Sequence, residues 1–241
     1  MTDTDLREAF LCEARIVEKT LRSERKGEPD MLDWSIENGY YEKGFNLVCG
    51  CDEAGRGPLA GPVFAAAVFR PRNIEIEGLD DSKRLSPKKR LRIYAEVKEK
   101  ALDYAVAHAE VYEIEAINIL NASMLAMRRA IAKLKIKPDL ALIDGNIARD
   151  FNITAVPIVK GDGQSPSIAA ASVLAKVERD AFCVDMDRFY PGYGFAKHKG
   201  YATKEHKAAL LELGPCPLHR RSFLKKTLGD KFEQTDIWQN W

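Results

Sequence analysis

The segment that most constrains this chain joins an apolar run to a glycine-rich turn, with two adjacent acids at the junction. Residues 45–51 are largely apolar, Asp52 and Glu53 follow, and Gly55 and Gly57 come shortly after them. Neighbouring side chains of a regular strand point to opposite faces, so we expect the strand to end or kink here and bring both acids to one site. Two carboxylates held together repel each other unless a proton or a cation is present. The segment therefore predicts a metal site at a strand end.

The turn itself offers a second kind of binding group. Arg56 lies between two glycines, which expose backbone N–H groups without a Cβ beside a guanidinium suited to phosphate. Residues 55–61 also fit loosely the glycine pattern of dinucleotide-binding proteins, but that pattern requires a helix to begin within it. Pro62 and the apolar residues 63–69 indicate a second strand instead. We therefore interpret the turn as a phosphate-binding element and reject a dinucleotide cofactor.

Two further acids follow predicted strands. The apolar residues 139–144 end in Asp144 before a glycine, and a strand at 155–159 precedes Asp162, which lies between two glycines. Open α/β sheets bind ligands at the carboxyl ends of their strands. One aspartate beside glycine is ordinary turn chemistry. Four carboxylates at three strand ends are less ordinary, and they match the two divalent cations of many phosphodiester hydrolases.

Hydrophobic periodicity and capping residues predict the remaining elements. Helices are expected at residues 4–26, 31–41, 86–101, 114–134, from 165 onward and 203–213, and strands at 46–52, 61–69, 104–109, 139–144 and 155–159. Ser86 and Ser165 each precede a proline and are predicted helix caps. The small residues 168–175 would let their helix lie close against the sheet. Within that helix we interpret Ser172 as structural, together with Lys176 and Asp180.

Charge and composition bound the class of protein. The net charge is only +1, yet residues 197–226 carry eight Lys and Arg against two acids, whereas residues 1–46 carry eleven acids against seven bases. Loop 190–201 mixes aromatic residues with cations, as single-stranded nucleic-acid surfaces do. No apolar run reaches the length of a membrane span, and the five scattered cysteines suggest reduced thiols. We expect a soluble cytoplasmic protein.

A zinc site is a weak alternative for the C-terminal cysteine and histidines. Cys216 and His219 lie close in sequence, and His198 and His206 precede them. The set lacks finger-like spacing at both ends, so it receives little weight.

Several segments together resemble bacterial ribonuclease HII, the type 2 ribonuclease H family. Residues 52–63, Asp-Glu-Ala-Gly-Arg-Gly-Pro-Leu-Ala-Gly-Pro-Val, are similar to the family signature. The other matching segments occur in the family's order: Asp81-Ser-Lys83, Asp144-Gly-Asn146, Lys160-Gly-Asp162, Ala169-Ala-Ala-Ser172 with Ala175-Lys176, Tyr193-Gly-Phe195, His198-Lys-Gly-Tyr201 and His219-Arg-Arg-Ser-Phe223.

The resemblance implies an α/β architecture, the ribonuclease H-like fold with a mixed five-stranded sheet flanked by helices. It covers residues 44–226 and implies one catalytic domain there, which includes C-terminal helices. Residues 1–43 would be an N-terminal helical extension and residues 227–241 a tail. The implied activity is hydrolysis of the RNA strand of RNA–DNA hybrids and nicking 5′ of ribonucleotides embedded in duplex DNA, leaving 3′-hydroxyl and 5′-phosphate ends.

The resemblance also implies roles for individual residues. Four carboxylates would hold Mg²⁺ or Mn²⁺, two ions during catalysis: Asp52, Glu53, Asp144 and Asp162. The groups that would read the ribose 2′-hydroxyl are the backbone of Gly55, Arg56 and Gly57 and the side chain of Tyr201. The candidates for phosphate contacts are Lys83, Arg220 and Arg221.

Two other functions and one partner remain open. A nuclease of the same fold could act on branched DNA, and a non-catalytic nucleic-acid-binding protein could use these charges for structure alone, because a fold does not determine a function. The segment Gln234-Thr-Asp-Ile-Trp238 is similar to the pentapeptide by which bacterial proteins bind the replication sliding clamp. Gln234, Ile237 and Trp238 are its predicted contacts, and we expect the protein to be a monomer.

Overall fold

The computed structural model describes residues 32–228, in which five strands form one mixed sheet. The strands are β1 (Val48–Ala54), β2 (Val63–Phe69), β3 (Asp103–Ala109), β4 (Leu140–Asp144) and β5 (Thr154–Ile158). Their order across the sheet is β3-β2-β1-β4-β5, with β1 to β3 antiparallel and β1, β4 and β5 parallel. The predicted architecture is confirmed. The predicted helix at 4–26 and the clamp-binding segment lie outside the described residues.

Seven helices surround this sheet in the described range. They are α1 (Ser35–Glu42), α2 (Pro87–Lys100), α3 (Val111–Lys133), α4 (Pro166–Phe189), α5 (Phe195–His198), α6 (Lys204–Leu213) and α7 (Arg221–Leu228). The predicted caps are confirmed, because the Ser86 and Ser165 hydroxyls accept hydrogen bonds from the first turns of α2 and α4. None of the helices in this range is both long and apolar enough to cross a lipid bilayer.

Helix α3 differs from the single long helix that the sequence predicts. It begins at Val111 and kinks at Asn118, which has φ 66° and ψ 165°. The Asn118 side chain accepts hydrogen bonds from the backbone N–H groups of Leu120 and Asn121. Asn118 therefore ends one helical segment and caps the next, a role that apolar periodicity does not reveal.

The central strand β1 is covered on both faces. Cys49 and Cys51, both free thiols, pack with α3, whereas Gly50 faces α4. A Cβ at Gly50 would lie 2.1 Å from the backbone carbonyl carbon of Ser167. Helix α4 therefore rests directly on the β1 backbone, and only glycine permits this approach.

Helix α1 belongs to the same packed unit as the sheet. Ile36 and Tyr40 are buried against β1, β4 and β5. The buried Glu37 carboxylate accepts hydrogen bonds from the Ser165 hydroxyl (2.6 Å) and the Ser167 backbone N–H (3.0 Å) at the start of α4. Helix α1, which lies within the expected N-terminal extension, is therefore packed against both the sheet and the start of α4.

Candidate active site

Three aspartates from separate segments meet at the carboxyl ends of the parallel strands. The ladder between β1 and β4 ends at the pair Cys51–Ile143, and the next residues are Asp52 and Asp144. Asp162 joins them from a 3-10 turn, Gly161–Gly163, that follows β5. Carboxylate oxygens of the three aspartates lie within 4.8 Å of one another. The parallel register thus delivers acids that are far apart in sequence to one point.

Backbone hydrogen bonds fix the turn that carries Asp162. The Asp144 Oδ1 atom accepts hydrogen bonds from the backbone N–H of Gly161 at 2.7 Å and of Asp162 at 3.4 Å. A Cβ at Gly161 would lie 2.5 Å from the Ile168 side chain. One aspartate therefore positions the other, and the glycine between them lets α4 approach the turn.

Glu53 does not join this group of three. Strand β1 pairs regularly with β2 through Glu53 and Ala54, so it neither ends nor kinks at the two acids. Our expectation of a break is wrong, yet Glu53 remains near the aspartates, because its charge raises the pKa of Asp52. Its Oε1 atom instead lies 3.2 Å from Arg56 Nη1. Burial raises the pKa of Glu53, Arg56 opposes that effect, and Asp144 raises the pKa further.

The aspartate group is short of positive charge. Burial raises the pKa of Asp52 well above its usual value, and the charges of Glu53, Asp144 and Asp162 raise it further. Burial and then Asp162 raise the pKa of Asp144 in the same way. Desolvated carboxylate oxygens are the ligands that Mg²⁺ and Mn²⁺ prefer. This donor set therefore fits a divalent cation.

Lys83 supplies part of the missing positive charge. Its Nζ atom lies 3.1 Å from Asp162 Oδ2 and 4.0 Å from Asp81 Oδ1, while its side chain is 73% exposed. Burial alone would lower the pKa of Lys83, but Asp162 and Asp81 outweigh it and raise the pKa. The ammonium group thus lies between the carboxylates and solvent.

Sequence reasoning missed one residue of this site. The Ser172 side chain lowers the pKa of Asp52 by hydrogen bonding, and its hydroxyl lies 2.8 Å from the Ser82 hydroxyl. Helix α4 rests on Gly50 at Ser167. From Gly50 to Asp52 the strand advances two residues, about 7 Å, and from Ser167 to Ser172 the helix advances five residues, about 7.5 Å. That spacing could have placed Ser172 opposite Asp52.

The glycine turn and Tyr201 form a second surface beside the aspartates. A Cβ at Gly57 would lie 3.7 Å from the Tyr201 ring, which is an ordinary contact distance. Gly55 has φ +104°, and a Cβ there would lie 2.2 Å from Arg179 Nε. Within residues 32–228 the backbone N–H groups of Arg56 and Gly57 donate to no protein acceptor. Two donors and a half-exposed aromatic ring are therefore available to a ligand.

Arg220 is not on this surface. It is fully buried, and its five N–H groups donate to four backbone carbonyls of the turn. The acceptors are Gly55, Arg56, Pro58 and Gly61, at 2.7–3.0 Å. The prediction that Arg220 contacts phosphate is wrong, because the guanidinium has neither solvent access nor a remaining donor. Arg221, the first residue of α7, is exposed.

The weak zinc alternative receives no support from the described residues. Three histidines do meet, since the His198 and His206 rings stack with centroids 4.3 Å apart and the ring nitrogens of His206 and His219 are 3.0 Å apart. Among residues 32–228, however, the three aspartates are the one group of His, Cys, Asp or Glu with the spacing of a metal site.

The profile of the ribonuclease HII family matches residues 49–226, which include all three aspartates. The chain belongs to the ribonuclease HII family. It is 50% identical over 195 residues to a ribonuclease HII of Caldicellulosiruptor saccharolyticus, covering 81% of this chain and 95% of the relative. A ribonuclease HII of Verminephrobacter eiseniae is 55% identical over 196 residues, covering 81% and 90% of the two chains. This member of the family is therefore a ribonuclease H endonuclease, a hydrolase of phosphodiester bonds.

Solved structures confirm the ribonuclease H-like fold. The ribonuclease H2 of Pyrococcus horikoshii superimposes with a TM-score of 0.63 at 24% identity, covering 79% of this chain and all of that one. The ribonuclease HII of Archaeoglobus fulgidus, solved in complex with PCNA, gives a TM-score of 0.60 at 24% identity, covering 73% and 94%. At these identities the likeness establishes the fold alone.

Proposed function

We propose that this ribonuclease HII-family enzyme cleaves the RNA strand of RNA–DNA hybrids and nicks duplex DNA on the 5′ side of a single embedded ribonucleotide. The products would carry 3′-hydroxyl and 5′-phosphate ends. One observation carries the proposal: the aspartate group lies next to a surface with free backbone donors. Gly55 follows Asp52 by three residues, just past the end of β1. Helix α4 lies beside the two positions at Ser172 and Arg179, about 10 Å apart along the helix.

The metal ligands we propose are three aspartates and one glutamate: Asp52, Asp144, Asp162 and Glu53. When bound, divalent ions would activate the attacking water and stabilise the leaving oxygen. The protein groups hold the ligands in place: Ser172 orients the Asp52 carboxylate, and Asp144 fixes the turn of Asp162. Carboxylate oxygens bind Mg²⁺ or Mn²⁺ in preference to softer ions, so a buried group of carboxylates supports either of these two metals.

Recognition of ribose is proposed for the adjacent surface. The 2′-hydroxyl distinguishes RNA from DNA, and it can both accept and donate a hydrogen bond. The backbone N–H groups of Arg56 and Gly57 offer donors, and the Tyr201 ring offers a face on which a sugar can pack. Lys83 and Arg221 are exposed cations suited to neighbouring phosphates. Because phosphate contacts release counterions, binding should weaken steeply as salt increases.

A duplex with one embedded ribonucleotide tests this function. Labelled duplexes with and without that ribonucleotide would be incubated with the enzyme and Mg²⁺ or Mn²⁺, and the ends of the products mapped. Strand-specific nicking 5′ of the ribonucleotide supports the proposal. Cleavage of branched all-DNA substrates alone would favour a junction nuclease, and retention of the duplex without cleavage would favour a binding protein.

Two further proposals concern where and with what the enzyme acts. Its nucleic-acid substrates lie in the bacterial cytoplasm, so we propose that it works there as a monomer. We also propose that the tail binds the replication sliding clamp through Gln234, Ile237 and Trp238, since the segment resembles a clamp-binding peptide and an archaeal structural neighbour is a PCNA complex. Loss of clamp binding in Trp238→Ala, with nicking of short duplexes unchanged, would support the tail's role; unchanged clamp binding would refute it.

A further inference from the structure

The proposed ribose-reading surface has two halves, the backbone of residues 55–57 and the side chain of Tyr201, which come from distant parts of the chain. A surface that measures one hydroxyl group must keep its halves at a constant distance. The two segments meet directly where the Leu59 N–H donates to the Gly200 carbonyl at 2.8 Å, and within the described residues the segment 216–220 hydrogen-bonds to both of them.

The buried Arg220 side chain fixes the backbone of residues 55–57 by hydrogen bonds. Its five hydrogen bonds draw the carbonyls of Gly55, Arg56, Pro58 and Gly61 inward, and the backbone N–H of Arg220 donates to the Leu59 carbonyl at 2.7 Å. With those carbonyls committed inward, the N–H groups of Arg56 and Gly57 remain available outward. Burial lowers the pKa of Arg220 to about 9, and Arg179 acts in the same direction, so the guanidinium stays charged at neutral pH.

His219, the neighbour of Arg220, holds the second half through His206. The Nδ1 atom of His206 faces the Tyr201 carbonyl at 2.9 Å and must donate to it. A neutral His206 then accepts at Nε2 from His219 Nε2, 3.0 Å away, and His219 accepts at Nδ1 from the Cys216 backbone N–H at 2.8 Å. The chain of hydrogen bonds assigns one tautomer to each ring and ends on the Tyr201 backbone.

Arg179 joins the two segments directly. Its Nη2 atom donates to the carbonyls of Ala60 (3.3 Å) and Lys199 (3.0 Å), one on each side. Within residues 32–228 no carboxylate lies at salt-bridge distance from Arg179 or Arg220. A buried charge without a counter-ion is costly unless it is well hydrogen-bonded. Arg220 meets this condition through its five hydrogen bonds to backbone carbonyls, whereas Arg179 does so only through Nη2, since its Nε and Nη1 atoms have no partner among the described residues.

We propose that His219 and Arg220 are positioning residues that set the distance between the Arg56–Gly57 backbone and Tyr201, and thereby the enzyme's ability to act at a ribose. This inference rests on the proposed ribose-reading function. It assigns no substrate contact to either residue. Loss of the link would misplace the 2′-hydroxyl contacts while leaving the aspartate group assembled.

The test compares Arg220→Ala with Arg70→Ala. Arg70 is a matched control because it is also a buried arginine, 3% exposed, but follows the end of β2 at the edge of the sheet opposite Asp52. Hydrogen exchange would be measured at residues 55–61 and 199–203, and nicking kinetics on the duplex with one ribonucleotide. We expect faster exchange in both segments and a kcat lower by roughly 10²-fold only in Arg220→Ala, since a displacement of about 1 Å can have that effect.

Chemical rescue separates positioning from general loss of structure. Guanidinium at roughly 50 mM is below the range that unfolds proteins. At that concentration it should raise the kcat of Arg220→Ala at least about tenfold over the value without guanidinium. Sodium chloride at equal concentration and Arg70→Ala serve as controls. Arg220→Lys, which retains the charge with fewer donors, should lose activity without being rescued, and it keeps the test decisive if the alanine variant does not fold.

Each outcome decides the proposal. Unchanged exchange at residues 55–61 and 199–203, a kcat loss no larger than that of Arg70→Ala at equal loss of stability, or rescue by sodium chloride as strong as by guanidinium would overturn it. If the wild type fails to nick at the ribonucleotide, the proposed function is refuted, while the exchange measurement still decides whether Arg220 positions the turn.

Discussion

Two groups of buried charged residues, the aspartate group and a cluster of basic residues beneath the glycine turn, differ in whether the protein itself supplies partners for them. The first comprises Asp52, Asp144 and Asp162; the second, called here the basic cluster, comprises Arg179, Arg220, His206 and His219. Carboxylate oxygens of the aspartates crowd one another within 4.8 Å with little positive charge nearby. In the basic cluster every Arg220 donor already has a backbone acceptor.

The difference separates residues that act on a ligand from residues that shape the site. Buried charge is unfavourable in both regions, and it raises the pKa of Asp52 and Asp144 while it lowers that of His206 to about 4 and of His219 to about 3. The aspartates require an external cation, whereas hydrogen bonds within the protein already use every donor of Arg220. A charged group is available to a ligand when it still lacks a counter-charge or a hydrogen-bond partner, whatever its residue type.

The largest expected effect comes from removing one aspartate charge. Asp144→Asn should reduce nicking by roughly 10³-fold or more, because the variant loses a proposed metal ligand. The amide oxygen can still accept the hydrogen bond from Gly161, so folding and hybrid binding should be retained. Single-turnover kinetics with circular dichroism would check this. Wild-type turnover in the variant would contradict the metal assignment.

The two glycines of the turn should respond differently to alanine. Gly57→Ala should keep the wild-type unfolding temperature, because its Cβ would lie 3.7 Å from Tyr201, yet lower kcat/KM by roughly 10²-fold by obstructing the sugar. Gly55→Ala should destabilise the protein, because its φ is +104° and its Cβ would lie 2.2 Å from Arg179. Thermal unfolding and nicking assays would distinguish them. Equal stability losses would show that both glycines serve the fold.

Because His206 and His219 have lowered pKa values, we expect the folded protein to become less stable as pH falls. The pKa of His219 is lowered to about 3 from an unfolded value of 6.5, so below pH 6.5 the unfolded chain binds more protons and stability falls as pH falls. Between pH 6.5 and 5 this amounts to about 2 kcal/mol. Asp52 and Asp144 have raised pKa values, so their protonation makes the folded protein more stable as pH falls, which opposes the histidine effect. Saturating Mg²⁺ should be present to suppress this contribution of the aspartates to the pH dependence of stability.

A matched variant isolates the histidine contribution. His219→Gln retains a donor toward His206 but cannot titrate, so denaturant unfolding from pH 6.5 to 5 should show a shallower loss of stability than in the wild type. Identical pH slopes for the two proteins would mean that the His219 ring is not held neutral.

The smallest effect is expected at Ser172, whose side chain lowers the pKa of Asp52. Ser172→Ala should lower activity by roughly tenfold and weaken Mn²⁺ binding, because residues that orient metal ligands usually contribute at that level. Titration of Mn²⁺ by calorimetry and nicking rates would measure both. Ser123→Ala, at a buried serine of α3, is a matched control in which both should be unchanged.

Much of the architecture followed from local patterns. Apolar runs located all five strands, and the serines before Pro87 and Pro166 marked the starts of two helices. Asp52, Asp144 and Asp162 were recognisable because acids at strand ends meet at one edge of a parallel sheet. These features depend on neighbours within a few residues, so they can be read along the chain.

The sequence by itself determined the order of elements, the acids at the strand ends and the family. Only the tertiary structure decided that β1 stays regular through Glu53, that Ser172 lies beside Asp52 and that Arg220 is buried. Each of these outcomes depends on strand register or on backbone carbonyls up to 165 residues away, as between Arg220 and Gly55. An exposed and a buried arginine look alike in sequence, because burial is set by the partners that the fold brings to the side chain.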